Sequence, residues 1–142
     1  MNPAPIRKRY PEITIQVDAD VISAYSLAIG EEDPRCLQGQ LAPPALAAVY
    51  CLRPGVEQVL GDSELGLRLD RLLHTDQSFE FLTPVRSGDA VRVDTTLSKD
   101  FERLGNRFLV CQSVARLVSD GRVVCRSSAS LMVVGNARDD ST

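Results

Sequence analysis

Apolar and polar residues alternate along much of this chain with the period of a strand. Ile13, Ile15 and Val17 alternate with Thr14 and Gln16, which predicts a short half-buried strand. The alternation returns in Gln77-Ser78-Phe79-Glu80-Phe81, from Val91 to Ser98 and from Phe108 to Leu117, and Val123 to Val134 reads as the last strand. Loops are predicted at Asp100 to Asn106 and at Asp120-Gly121. Two segments have a helical period instead. Asp18 is a good N-cap with Asp20 in the first turn, Val21, Ala24, Tyr25 and Ala28 form one face, and Gly30 is placed to end a helix over Asp18 to Ile29. Pro43-Pro44 suits the first turn of a second helix, whose small residues Ala45, Ala47 and Ala48 let it approach a sheet closely. Arg53-Pro54-Gly55 is expected to end it. Three hairpin-linked strands after two helices predict an α+β domain with an antiparallel meander.

Composition narrows the classes. The 142 residues suffice for one core, and 44% hydrophobic with 25% charged residues is ordinary for a globular chain. A net charge of −3 makes no case for nucleic acid, and Arg7-Lys8-Arg9 reads as part of a solvated N-terminal arm over residues 1–12. The domain is expected over 13–134 and a polar, disordered tail over 135–142. No apolar run reaches the roughly 20 residues that span a bilayer, and no signal-peptide pattern follows the N-terminal cations. A single histidine and four cysteines without CxxC spacing give no metal site. If Asp120-Gly121 turns a tight hairpin, Cys111 sits across from Ser130 and Cys125 across from Arg116, so these two are not a cross-strand pair. Free thiols in a reducing cytoplasm are the expectation.

The stretch Leu73 to Val93, LHTDQSFEFLTPVRSGDAVRV, contains the one histidine, His74, then Gln77, and then Pro84 followed by Gly88-Asp89. It resembles the His-x-x-Gln, Pro-x-x-x-Gly-Asp core of the MaoC-like hydratase/dehydratase superfamily, and most of all its N-terminal-type, FAS1-like dehydratase domain. VDADVISAYSLAIGEEDP resembles that family's first helix and its GDxNP loop, LAPPALAAVY resembles its APP helix start, and SSASLMVV resembles its closing strands. The resemblance implies a hot-dog fold, a curved antiparallel sheet wrapped around a central helix, acting on 3-hydroxyacyl or enoyl thioesters of CoA or acyl carrier protein without a cofactor.

Active members of the family carry G-D-x-N-P-x-H, whose aspartate and histidine supply acid/base catalysis beside an acyl tunnel. Here the loop reads Gly30-Glu31-Glu32-Asp33-Pro34-Arg35-Cys36. Glu31 takes the aspartate position, Asp33 the asparagine position and Cys36 the histidine position. The resemblance therefore implies an acyl-binding member that lacks the Asp/His pair and works with a catalytic hot-dog partner, in a homodimer or heterodimer. Two readings of the loop stand: Glu31 and Asp33 as substitute catalytic carboxylates, or a solvated acidic loop. Two readings of His74 stand as well: contact with the thioester or pantetheine arm, or a strand-start histidine bonded within the fold; Gln77 divides the same way. Ala42, Pro43 and Ala45 are candidate substrate-binding residues, because amides at that helix start can hold a carbonyl oxygen. Only Leu37 to Leu41 separates Cys36 from Ala42, a short roof over such a site. A hot-dog thioesterase using one carboxylate and a non-enzymatic acyl-binding or scaffolding subunit are the alternative readings.

Overall fold

The computed structural model describes residues 8–135. The strands are β1 (Lys8–Arg9), β2 (Ile13–Gln16), β3 (Leu72–Phe81), β4 (Ala90–Arg103), β5 (Asn106–Leu117) and β6 (Val123–Val133). They form one six-stranded sheet in the order β1-β4-β5-β6-β3, with β2 also pairing β4. Every pairing is antiparallel. The curved sheet and the helix it holds are the hot-dog architecture. α1 (Ala19–Ala28) and α2 (Pro34–Leu37) precede the central helix, which ends in α3 (Arg53–Leu60).

The central helix is longer than its sequence suggests. A 3-10 turn at Pro44–Leu46 leads to a π turn at Ala48–Leu52, and the helix then continues through Pro54 and Gly55 to Leu60. The expected stop at Arg53-Pro54-Gly55 does not occur. Pro54 falls in the first turn of α3, where a missing N–H and a fixed φ are tolerated, and the wider π turn before it makes room for the ring. Gly55 has a different reason to be there. A Cβ at this position would lie 2.4 Å from Ser113 Oγ and 2.5 Å from Thr95 Oγ1. Those two hydroxyls bond each other at 2.9 Å in the buried centre of the sheet. Gly55 lets the helix lie directly on them.

Two core clusters flank this contact. One gathers Ile22, Leu46, Tyr50, Val91 and Val124, and the other gathers Tyr10, Val59, Leu97, Leu109 and Leu131. α1 contributes Ile22 and Ser26, both fully buried, and of the expected face only Tyr25 packs on the core: Val21 is 44% exposed, and Ala24 and Ala28 are exposed as well. Residues four apart share a helix face, so Ile22 and Ser26 serve as well as the predicted set, and docking on the sheet decides between them. Asp18 does precede the helix, with an extended backbone, but its side chain makes no capping bond.

The β4–β5 connection is tighter than predicted. Both strands run to a two-residue turn, Leu104-Gly105, with φ of 53° and 79°, so the span Asp100 to Asn106 is mostly strand. Leu at a positive φ is unusual, and the Asn-Gly signal of such turns is missing. The β5–β6 turn is looser: Cys111 pairs with Ala129 and Cys125 with Ala115, one position from the expected register. A hydrogen bond from the Gly121 amide to the Leu117 carbonyl and one from the Leu117 amide to the Arg122 carbonyl set this longer turn. Cys36, Cys51, Cys111 and Cys125 are all free and buried.

The N-terminal segment, where described, belongs to the sheet. Lys8 and Arg9 pair with Leu97 and Thr96, and Tyr10 is 8% exposed. Tyr10 donates its hydroxyl proton to Asp62 at 2.7 Å, and Lys8 Nζ sits 2.6 Å from the same carboxylate and 2.7 Å from Glu64. Arg7 and the tail beyond Gly135 lie outside the described residues.

Candidate functional site

The loop after α1 closes on itself. Gly30 has φ of 75°, a left-handed conformation that suits glycine, and turns the chain out of the helix. Glu31 Oε1 accepts the amides of Glu32 at 3.1 Å and Asp33 at 3.2 Å. Asp33 caps α2: its Oδ1 accepts the Arg35 amide at 2.9 Å, and its Oδ2 meets the Arg35 guanidinium at 2.8 Å. The bond from Arg35 is the main reason the Asp33 carboxyl stays below the usual carboxylate range. Cys36 is 3% exposed, and burial, with Asp33 and Glu31 nearby, pushes its thiol upward. In this arrangement Asp33 is an ionised cap, and Cys36 is a protonated, packed thiol.

The other candidates sit on β3 and at the helix start. The pairing of β3 with β6 slips by one residue between His74 and Asp76, leaving Thr75 in a β-bulge whose hydroxyl donates to the Ser130 carbonyl at 3.2 Å. The bulge has a direct consequence for the His-x-x-Gln spacing. In a regular strand, residues three apart point to opposite faces. Here His74 pairs with Leu131 and Gln77 with Ala129, both of which are buried on the helix side of the sheet, so His74 and Gln77 share that face. His74 Nε2 lies 3.1 Å from Gln77 Oε1, and Gln77 Nε2 donates to Ser127 Oγ at 2.8 Å and to the Ser78 carbonyl at 3.0 Å. The imidazole is exposed, yet Gln77 aims it from a rigid strand.

An apolar cavity of about 340 Å³ lies at the opposite end of β3. Leu41, Ala42 and Pro44 line it from the helix start, Phe81–Val85 line it from the end of β3 and the segment beyond, and Tyr50 lines it from the π turn. The bond from the Ala42 amide to the Val85 carbonyl at 2.8 Å ties the short Leu37–Leu41 roof to this wall. Pro43 is buried and does not line the cavity. Ala45 is exposed, and its carbonyl accepts the Tyr25 hydroxyl at 3.0 Å. His74 and Phe81 are separated by seven strand positions, roughly 20 Å. Within one chain the His74–Gln77 pair and the Ala42 cavity are therefore separate. Of the cavity lining, sequence reasoning singled out Ala42 but missed the Phe81–Val85 wall and Tyr50, which it places only among helix residues. Tyr50 is 4% exposed, and burial raises its phenol above the usual range.

β3 is the last strand of the sheet, and its outer edge is unpaired among the described residues. Leu73 is 50% exposed, Phe81 50% and Leu82 48% along or just past it. Edges of this kind are normally paired or protected.

A family model described as the FAS1-like, dehydratase domain region matches residues 6–127. A UPF0336 protein of Cutibacterium acnes is 32% identical over 117 residues, covering 81% of this chain and 80% of that protein. A UPF0336 protein of Saccharopolyspora erythraea is 29% identical; it matches 70% of this chain, and the match spans 62% of its own length. Among solved structures, the HadBC (3R-hydroxyacyl-ACP dehydratase) complex of Mycobacterium tuberculosis superposes with a TM-score of 0.68 at 20% identity, over 87% of this chain and 92% of that one. The ChsH1-ChsH2 complex of the same organism superposes with a TM-score of 0.67 at 16% identity, over 91% of this chain and 90% of that one. These superpositions establish the hot-dog fold, and the family match covers nearly all of it. The chain belongs to the FAS1-like dehydratase domain family.

Proposed function

We propose that this chain is the acyl-binding half of a 3-hydroxyacyl-thioester dehydratase or enoyl-thioester hydratase, and that a partner hot-dog subunit carries the acid/base pair. The single observation that carries this reading is the contrast between a self-satisfied Glu31–Cys36 loop and an open apolar cavity. Dehydration needs a group that gives and takes a proton near neutral pH. Asp33 is held ionised by Arg35, and the buried Cys36 thiol is held protonated. Neither has the poise of the Asp/His pair. The cavity walls from Leu41 to Pro44 and from Phe81 to Val85 remain available to an acyl chain.

The β3 edge supplies the geometry for a shared site. A second hot-dog strand laid antiparallel on that edge runs its own far end past His74. With an identical or similar chain, His74 and Gln77 of one subunit then stand by the Phe81 end of the other, next to the cavity lined by Ala42. His74, Gln77 and Ala42 thus act at one interface, with His74 and Gln77 toward the thioester arm and Ala42 toward the acyl chain, while Pro43 and Ala45 shape the helix start behind it. The solved complexes named above each join two subunits by name, and this chain superposes on a chain of each, which supports a partner for this chain. The bound thioester belongs to CoA or acyl carrier protein, and the assembly works in the cytoplasm without a cofactor.

A hydration assay on crotonyl-CoA and octenoyl-CoA tests the proposal. The chain alone is expected to give little turnover, and adding a hot-dog partner with an intact G-D-x-N-P-x-H loop is expected to raise it by roughly 10²-fold or more. Robust turnover by the chain alone, abolished by Glu31→Gln, would overturn the proposal and assign the chemistry to Glu31.

A further inference from the structure

We infer that the cavity is built for an acyl chain that bears an oxygen atom beyond C3, and that the Tyr50 hydroxyl is the group that selects it. The inference rests on the acyl-binding reading above and adds the class of acyl group. Of the side chains lining the cavity, only those of Thr83 and Tyr50 can make a conventional hydrogen bond. The Thr83 hydroxyl is occupied, donating to the Val123 carbonyl at 2.9 Å. The Tyr50 hydroxyl has no hydrogen-bond partner among the described residues, although Tyr50 is 4% exposed.

That hydroxyl is not sealed inside the protein either. Among the described residues, the enclosed side-chain polar atoms without partners are Ser26 Oγ and Gln58 Nε2, and Tyr50 Oη is not among them. It therefore keeps some contact with solvent, and Tyr50 is one of the residues that line the cavity. Its environment keeps the phenol protonated, so it stays a hydrogen-bond donor across the physiological pH range. The tyrosine ring is locked in the core beside Leu46, Val91 and Val124, so the donor cannot swing away to bulk water at low cost.

A saturated hydrocarbon tail filling this cavity displaces water from Oη and leaves the donor unpaired. A tail with a keto or hydroxyl oxygen at the right depth accepts that proton. Sites built around a buried polar group discriminate strongly against ligands that cannot pair it. The oxygenated chain is expected to bind more tightly than the plain one by roughly tenfold or more.

The test is calorimetry on the full chain, alone and with its hot-dog partner, using octanoyl-CoA and a series of octanoyl-CoA probes with a keto group at successive positions beyond C3. At least one keto position should bind roughly tenfold more tightly than octanoyl-CoA. Tyr50→Phe, which removes one oxygen and keeps the ring, should erase that difference and leave octanoyl-CoA binding equal or tighter. Equal binding of all probes by the wild type, or a preference that survives Tyr50→Phe, would overturn the inference. If no acyl-CoA binds under either condition, the acyl-thioester reading fails by itself. The inference is then decided by NMR with cyclohexanone and cyclohexane. Cyclohexanone shifts of cavity residues that weaken in Tyr50→Phe uphold the donor role, and shifts that are absent or unchanged refute it.

Discussion

The centre of the sheet and its β3 edge make opposite use of polar groups. Under α3, Thr95 and Ser113 are buried at 0% and 3% exposure, bond each other, and accept a glycine as the only residue that fits above them. On β3, His74 and Gln77 also bond each other and also rest on a buried serine, Ser127, yet the imidazole is left in the open. The first pair is closed off and can only hold helix to sheet. The second has the same kind of internal bond with a free face, which is what a binding group requires. Hydrogen bonding alone does not separate structural from functional polar residues in this molecule. What separates them is whether anything stands above.

Substitutions at the two places should therefore fail in different ways. The largest effect is expected from Gly55→Ala. Its Cβ would enter the space of both hydroxyls, so the helix must lift or the hydroxyl pair must break, at a cost of about 3 kcal/mol. The urea midpoint reports it, and an unchanged midpoint would show that the contact is looser than described. Cys36→His installs the histidine of the G-D-x-N-P-x-H motif that this loop resembles, but it places a larger ring at a site that is 3% exposed. A loss of about 2 kcal/mol with no gain in hydration rate is the expected outcome, read by denaturation and the enoyl-CoA assay together. His74→Ala reverses the pattern. Stability should stay within about 0.5 kcal/mol of wild type, while acyl-CoA binding weakens roughly tenfold by calorimetry.

The smallest effect tests a third polar cluster, where Lys8 first and Tyr10 second hold the Asp62 carboxyl below its usual range. A carboxyl lowered in the folded state stabilises the fold above its unfolded pKa, and that contribution is lost as pH falls through the folded value. The stability gap between wild type and Asp62→Asn should thus be widest near neutral pH and close on acidification below about pH 4. Thermal melts of both proteins across that range measure it; a gap that does not narrow would mean that the contribution of Asp62 does not depend on its charge.

Much of the sheet was legible because burial on one face imposes a period of two on β2, β4, β5 and β6. The helix beyond Pro54 was not legible. Pro-Gly is a stop signal in isolation, and only the hydroxyls 40 and 58 positions further on, at Thr95 and Ser113, give Gly55 its purpose. The Leu104-Gly105 turn was hidden for a related reason, since leucine rarely adopts its φ of 53°. At the site, the positions of Glu31, Asp33, His74 and Gln77 followed from the motif. Their partners did not, because the pairing of Asp33 with Arg35 and the bulge at Thr75 are settled by local geometry. Tyr50 was read as one more packing residue in an alanine-rich helix. Its unpaired hydroxyl depends on what surrounds it in space.

The short strands β1 and β2 have a consequence for assembly. A sheet with two bare edges can add a neighbour on each side, and every neighbour presents another bare edge, so growth has no natural end. Here Lys8–Arg9 and Ile13–Gln16 lie along β4 and occupy its rim at Arg92, Val93, Thr96 and Leu97. The contact tying Tyr10 and Lys8 to Asp62 fastens that cover to the end of α3. One side of the sheet is thus blunted and the β3 side is left bare. Edge-to-edge joining through β3 uses up the bare side of both molecules at once, so it closes at a pair and cannot run on into a fibre.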